Sequence, residues 1–165
     1  MIFAAGLGTR LKPLTDHMPK ALVRVGGEPL LKHVVVQMKN AGFTHVVVNV
    51  HDFADQIEEY LAAQQNFGID IRISDERQQL LNTGGGIKKA RPLFDSTEPI
   101  LIHNVDILSN VDLRGFYAQA HGDATLLVSE RQTKRYLLFN PNEGHRLMGW
   151  TNIETHEVRS PHAGL

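Results

Sequence analysis

The chain contains no cysteine. That one absence removes disulfides, thiolate nucleophiles and cysteine-ligated zinc or iron–sulfur sites. No apolar run approaches the ~18 residues that would span a bilayer. The start, MIFAAGLGTR, also lacks the order of a secretory leader, because its Arg10 follows the short apolar stretch instead of preceding it. These absences predict a cytoplasmic protein with no membrane partner. Charge of one sign is missing too: 17 Lys plus Arg stand against 18 Asp plus Glu, a formal net charge of −1. A main partner made of nucleic-acid backbone calls for a clear basic excess, so no nucleic acid is expected. Internal repeats, low-complexity stretches and a Pro/Gly/Ser-rich linker are absent as well.

What remains is 165 residues, 42% apolar and 21% charged. That is the length of one domain, which buries roughly 70% of its unfolded surface and needs no disulfide or metal to hold it. Short β-branched or apolar runs alternate with amphipathic segments. A first strand ends at Ala5, and a helix is expected over 28–41, with Pro29 in its first turn and Gly42 as its stop. The string THVVVNV predicts a strand over 44–50. A helix over 52–65 follows, with Asp52 as N-cap and Ile57, Tyr60 and Leu61 on one face. Residues 69–74 alternate as a strand, and 84–94 reads as a glycine loop opening into a helix. Further expectations are an apolar run at 99–107, a short helix at 112–121, a strand at 124–129 and hairpins around 136–139 and 146–151. Strand–helix alternation with apolar strands predicts an α/β fold: a Rossmann-like three-layer sandwich around a mostly parallel central sheet. Ligands in such folds sit at the carboxyl ends of the strands.

Two loops at such ends carry unusual chemistry. The first is AAGLGTRLKPLT, from Ala4 to Thr15. Small residues let backbone approach a ligand, exposed N–H groups can hold phosphate oxygens, and Arg10 offers a planar fork for phosphate. A tight turn with a solvated Arg explains the same glycines. The string is neither a Walker loop nor a dinucleotide fingerprint, whose third glycine would stand where Leu11 does. The second loop follows IHNVD, where Asp106 closes an apolar strand. A carboxylate there suits a hard cation such as Mg²⁺; the structural alternative is a cap on the turn at Ser109–Asn110. The run Thr83, Gly84, Gly85, Gly86 weakens a helix start, which suggests that something approaches the backbone closely. The nine histidines form neither a His-x3-His pair nor a His-Glu-x-x-His string.

AAGLGTRLKPLT, then PKALVRVGG, then PLL, closely resembles the signature of the sugar-1-phosphate nucleotidylyltransferases, over about thirty positions in register. The later TGGGI is most similar to the bacterial branch making UDP-N-acetylmuramate, GDP-mannose or GDP-heptose. The resemblance implies transfer of a nucleotidyl group from a nucleoside triphosphate, with UTP or GTP favoured, to a sugar 1-phosphate, releasing pyrophosphate. It implies that Gly6, Gly8 and Thr9 hold phosphates, that Arg10 holds the departing pyrophosphate, and that Lys20 stabilises the α-phosphate. It further implies that Ala4 and Ala5 line the base and ribose pocket, that Thr83, Gly84 and Gly85 face the base and sugar, and that Asp106 binds Mg²⁺. Where relatives have Gly before this Asp and Glu before the Thr, this chain has Val105 and Asn82.

Relatives begin two or three residues earlier and continue well past residue 165. The 165 residues are therefore expected to form a single domain: the nucleotide-binding half plus the start of the sugar-binding half, without the second acidic metal ligand. An uncovered sheet edge in such a domain predicts association into a homo-oligomer. Two functions stay open at this point: the transferase itself, and a non-catalytic Mg-nucleotide-binding remnant without a sugar site.

Overall fold

The computed structural model describes residues 1–94 and 97–160; the chain end at 161–165 lies outside them. The chain divides into two units, Met1–Ala124 and Thr125–Leu165.

The first unit runs β1 (Ile2–Phe3), β2 (Arg24–Val25), β3 (Glu28–Pro29), α1 (Leu30–Asn40), β4 (His45–Val50), α2 (Ala54–Ala63), β5 (Asp70–Asp75), α3 (Asn82–Ala90), β6 (His103–Asn104) and α4 (Leu113–Ala118). Its sheet has the order β5-β4-β1-β6, and every pairing is parallel. The Val-rich β4 lies inside this sheet, buried from Val46 to Val50, as a strand covered on both faces must be. On one face, Leu31, Val34, Val35 and Met38 of α1 and Ile57 and Leu61 of α2 pack against Val46, Val48 and Val50. These spacings put one apolar stripe of each helix on the sheet. On the other face, Ile87 and Ala90 of α3 pack with Val47, Met1 and Phe3. The result is the expected α/β/α layering.

Several boundaries differ from the sequence expectation. Residues 28–29 are not the first turn of α1; they pair back onto β2 as β3. The N-cap expected at Asp52 does not form. Phe53 sits left-handed at φ 55 and the helix starts at Ala54, so Asp52 lies one residue too early to cap it. The glycines expected in a loop lie inside α3, whose start is fixed by tertiary bonds described below. The apolar run at 99–107 contributes a strand of two residues, although bonds from Met1 N to Leu101 O and from Val105 N to Phe3 O extend its attachment to β1. Asp112 does cap α4, accepting from Gly115 N at 3.0 Å.

The second unit is an antiparallel meander of β7 (Arg135–Asn140), β8 (Arg146–Asn152) and β9 (Glu157–Arg159), with a bulge between Leu138 and Phe139. The segments expected to form separate hairpins, 136–139 and 146–151, are instead the two strands of one hairpin, and β9 pairs with the second of them to make another. The strand expected over 124–129 does not form. A strand needs a ladder partner, and Leu126, Leu127 and Val128 have none among the described residues and stand 48–59% exposed.

Candidate functional site

The parallel register sets Phe3 of β1 beside Asn49 of β4 and Asn104 of β6, and Asn49 beside Ser74 of β5. The carboxyl ends of all four strands therefore converge, and the loops leaving them carry most of the residues singled out above.

After β1 the chain passes through buried Ala4 and Ala5 to exposed Gly6, Leu7, Thr9 and Arg10. Gly8 adopts a left-handed φ of 64°. Its carbonyl accepts from Leu11 N at 2.8 Å and from Thr15 Oγ1 at 2.9 Å, which folds 9–11 into a single tight turn. A Cβ on Gly8 would stand 2.8 Å from Thr15 Cγ2 and 3.3 Å from Lys20 Cβ. Conformation and contact both require glycine there. Lys20 in turn forms an ion pair and hydrogen bond with Asp106, just past β6. Gly8, Lys20 and Asp106 are thus one cluster. Asp106 faces Lys20, which leaves the turn-capping alternative without support.

A second cluster was not anticipated from the sequence. Asn49 Oδ1 accepts from Ala4 N at 2.8 Å and Ala5 N at 3.3 Å. Its Nδ2 donates to Glu76 Oε1 at 2.9 Å, and Glu76 Oε2 accepts from Leu81 N at 3.0 Å, immediately before α3. Glu76 is fully buried and Asn49 is 2% exposed. Outside this seam, Arg77 pairs with Asp55 and Glu58 of α2 and with Asp75 at the end of β5. These carboxylates raise the pKa of the Arg77 guanidinium, the hydrogen-bonded Asp75 first. The segment after β5 is therefore held from within and without. The one polar residue in the second half of THVVVNV was the available signal for Asn49; nothing in the string marked Glu76.

The glycine run also differs from expectation in detail. Gly84 faces open space, and the tightest approach is at Gly86, where a Cβ would lie 2.9 Å from Glu76 Oε1 and 3.3 Å from Asn49 Nδ2. Thr83 and Gly84 are exposed on the first turn of α3. Among the described residues, no side-chain hydrogen bond or ion pair joins Thr9, Arg10 or Thr83 to another candidate residue. A cavity of about 550 Å³ bounded by Met1, Phe43, His45, Leu101 and Tyr117 lies at the opposite, amino-terminal ends of the strands. It is remote from this chemistry, and strand carboxyl ends are where such sheets bind ligands. No group of three or more His, Asp or Glu side chains suited to a metal occurs among the described residues. No helix among them is long and apolar enough to cross a membrane.

A parallel sheet with helices on both faces, a glycine loop after its first strand and a Lys–Asp pair across its carboxyl edge define an α/β protein of the kind that binds ligands at that edge. Residues 1–136 match the family model for nucleotidyl transferase, and the chain belongs to that family. It is 48% identical over 108 residues, 64% of its length, to an N-acetylmuramate alpha-1-phosphate uridylyltransferase from Caulobacter vibrioides. It is 38% identical over 141 residues, 86% of its length, to the protein of the same name from Neisseria meningitidis serogroup B. The chain spans 44% and 59% of those two relatives. Among solved structures it is similar to HddC from Yersinia pseudotuberculosis complexed with GMP-PN. That likeness has a TM-score of 0.63 and 26% identity, and covers 71% of this chain and 51% of that one.

Proposed function

We propose that this chain carries the nucleotide-binding half, and the start of the sugar-binding half, of an enzyme that transfers a nucleotidyl group to a sugar 1-phosphate. The observation that carries the reading is the cluster of Gly8, Lys20 and Asp106 at the sheet's carboxyl edge. In the reaction an oxygen of the sugar phosphate attacks the α-phosphorus and a new P–O bond forms. The bond to the β-phosphate oxygen breaks, and pyrophosphate leaves with the electron pair. Both reactants are anions, so catalysis here is mainly positioning and charge neutralisation. The amides from Gly6 to Thr9 hold phosphate oxygens, and exposed Arg10 grips the leaving pyrophosphate. Lys20, released from Asp106, stabilises charge on the α-phosphate. Ala4 and Ala5, buried and with their N–H groups taken by Asn49, form the floor beneath the base and ribose side. Thr83, Gly84 and Gly85 close the facing wall.

The donor set fits Mg²⁺. A single exposed carboxylate at a strand end, completed by phosphate oxygens and water, is how this ion is ordinarily bound beside a nucleotide. Asp106 would hold it, and the ion would supply neutralisation of the triphosphate. UTP is the favoured nucleotide, because both relatives named above are uridylyltransferases; the complex of HddC with GMP-PN keeps GTP in the comparison.

The test is pyrophosphate release with Mg²⁺ across four nucleoside triphosphates and several hexose 1-phosphates, with Asp106→Ala as control. Release with one pair, lost in the control, supports the transferase. Nucleotide binding without release for any pair supports the binding-only alternative. Neither binding nor release overturns both.

A further inference from the structure

The two walls of the proposed nucleotide site meet through one buried polar seam: the Ala4 and Ala5 amides, Asn49, Glu76 and the Leu81 amide. Two backbone N–H donors fix which end of the Asn49 amide is oxygen. Both oxygens of Glu76 then accept, one from each wall. The partners of this fully buried carboxyl are neutral N–H groups, and the nearby Gly86 leaves the space it occupies. A carboxyl held this way is a poor source of stability, since apolar residues of similar volume fill such space at least as well. What it does supply is a fixed distance between the loop after β1 and the start of α3.

We propose that Asn49 and Glu76 are positioning residues for nucleotide binding: they lock the loop after β1 to the first turn of α3, so that the pocket is preorganised before the nucleotide arrives. This inference rests on the nucleotide-site reading above. It has a chemical consequence: the Ala4 and Ala5 amides are consumed by Asn49, so the phosphate-binding donors of the loop begin at Gly6. Preorganisation lowers the ordering cost that binding would otherwise incur, so loosening the seam should weaken nucleotide affinity even where the fold survives.

The seam permits a transposition test. Asn49→Asp alone sets two carboxyls face to face. Glu76→Gln alone, if its oxygen stays on Leu81 N, sets one NH2 group against another. The double variant Asn49→Asp/Glu76→Gln restores every bond. The new carboxylate at 49 still accepts from Ala4 and Ala5, and it accepts from the new amide at 76. That amide's oxygen still accepts from Leu81. Binding of Mg-UTP and Mg-GTP is titrated by calorimetry on the 165-residue chain, with melting temperatures measured in parallel. Each single variant is expected to weaken the better nucleotide at least about tenfold, and the double variant to return within about threefold. Singles that melt earlier but bind as the wild type does would show a purely structural seam and overturn the proposal. So would a folded double variant that fails to recover affinity. Singles that do not fold would likewise show a structural seam and overturn the proposal. A folded wild type that binds neither nucleotide overturns the nucleotide reading and this inference with it; wild-type binding with unaffected singles overturns this inference alone.

Discussion

Lys20 and Asp106, 86 residues apart in sequence, form an ion pair across the carboxyl edge of the sheet. Each neutralises the other, so under the proposed function nucleotide and metal would have to separate them before either acts. The side chains are 17% and 38% exposed, and a pair this open contributes about 1 kcal/mol or less to stability. Lys20→Ala and Asp106→Ala should therefore unfold within about 1 kcal/mol of the wild type in urea. Transfer should nevertheless fall about 10²–10³-fold in each, the usual cost of losing one group aimed at developing charge. Loss of activity matched by a large loss of stability would place the pair in the fold, not in the chemistry.

Metal removal separates the two partners. With a chelator present, nucleotide affinity of the wild type should drop, because Asp106 then holds Lys20 and repels the triphosphate. Asp106→Ala should bind metal-free nucleotide at least as well as the wild type does, since its Lys20 is released. Calorimetry with and without chelator distinguishes these, and weaker metal-free binding by the variant would sink the assignment.

Gly86→Ala should be the most damaging of the α3 glycine substitutions. The new methyl would press on Glu76 Oε1 at 2.9 Å and on Phe3 Cε1 at 3.4 Å. Overpacking of this kind costs about 1–3 kcal/mol. Gly84→Ala meets open space and, by helix propensity, should leave stability equal or raise it by up to about 1 kcal/mol. Urea midpoints of the two variants check the contrast, and equal effects would contradict the packing described at Gly86.

The Met1 α-ammonium should contribute stability that rises with pH between about 5 and 8. Burial pushes the Met1 α-ammonium from 8.0 down to about 5. Over that interval the unfolded chain holds a proton that the folded chain has given up, so the folded state gains as protons are withdrawn. The gain is complete above the unfolded value and absent below the folded one. Melting temperatures at pH 6 and pH 8 give the sign directly, and a flat or falling trend would contradict it.

Much of this protein is readable before any coordinates. The run of valines in THVVVNV demands a strand covered on both faces, and its alternation with amphipathic helical segments implies layers of helix on either side. Gly8 with its Thr and Arg neighbours marks a tight glycine turn after the first strand, and the register of Lys20 behind it makes the family resemblance specific. These features are local: they depend on side-chain type, spacing and backbone freedom within a few residues.

What could not be read is everything that depends on which strands lie side by side. Asn49 looks like one polar interruption in an apolar strand, and Glu76 like a solvated acid after another. They matter because parallel register places Asn49 beside Phe3 and brings Glu76 round to it. Helix α3 begins at Asn82 because a carboxylate from the preceding segment anchors Leu81, a bond between residues five apart whose geometry only the folded loop supplies. Leu126, Leu127 and Val128 have strand composition and no ladder partner among the described residues, because a strand exists only where another chain segment offers its hydrogen bonds. The pattern of side chains thus settles which elements want to form and which chemistry they carry; long-range pairing settles where those elements stop and which polar groups are buried together, since burial and hydrogen bonding are properties of neighbours in space.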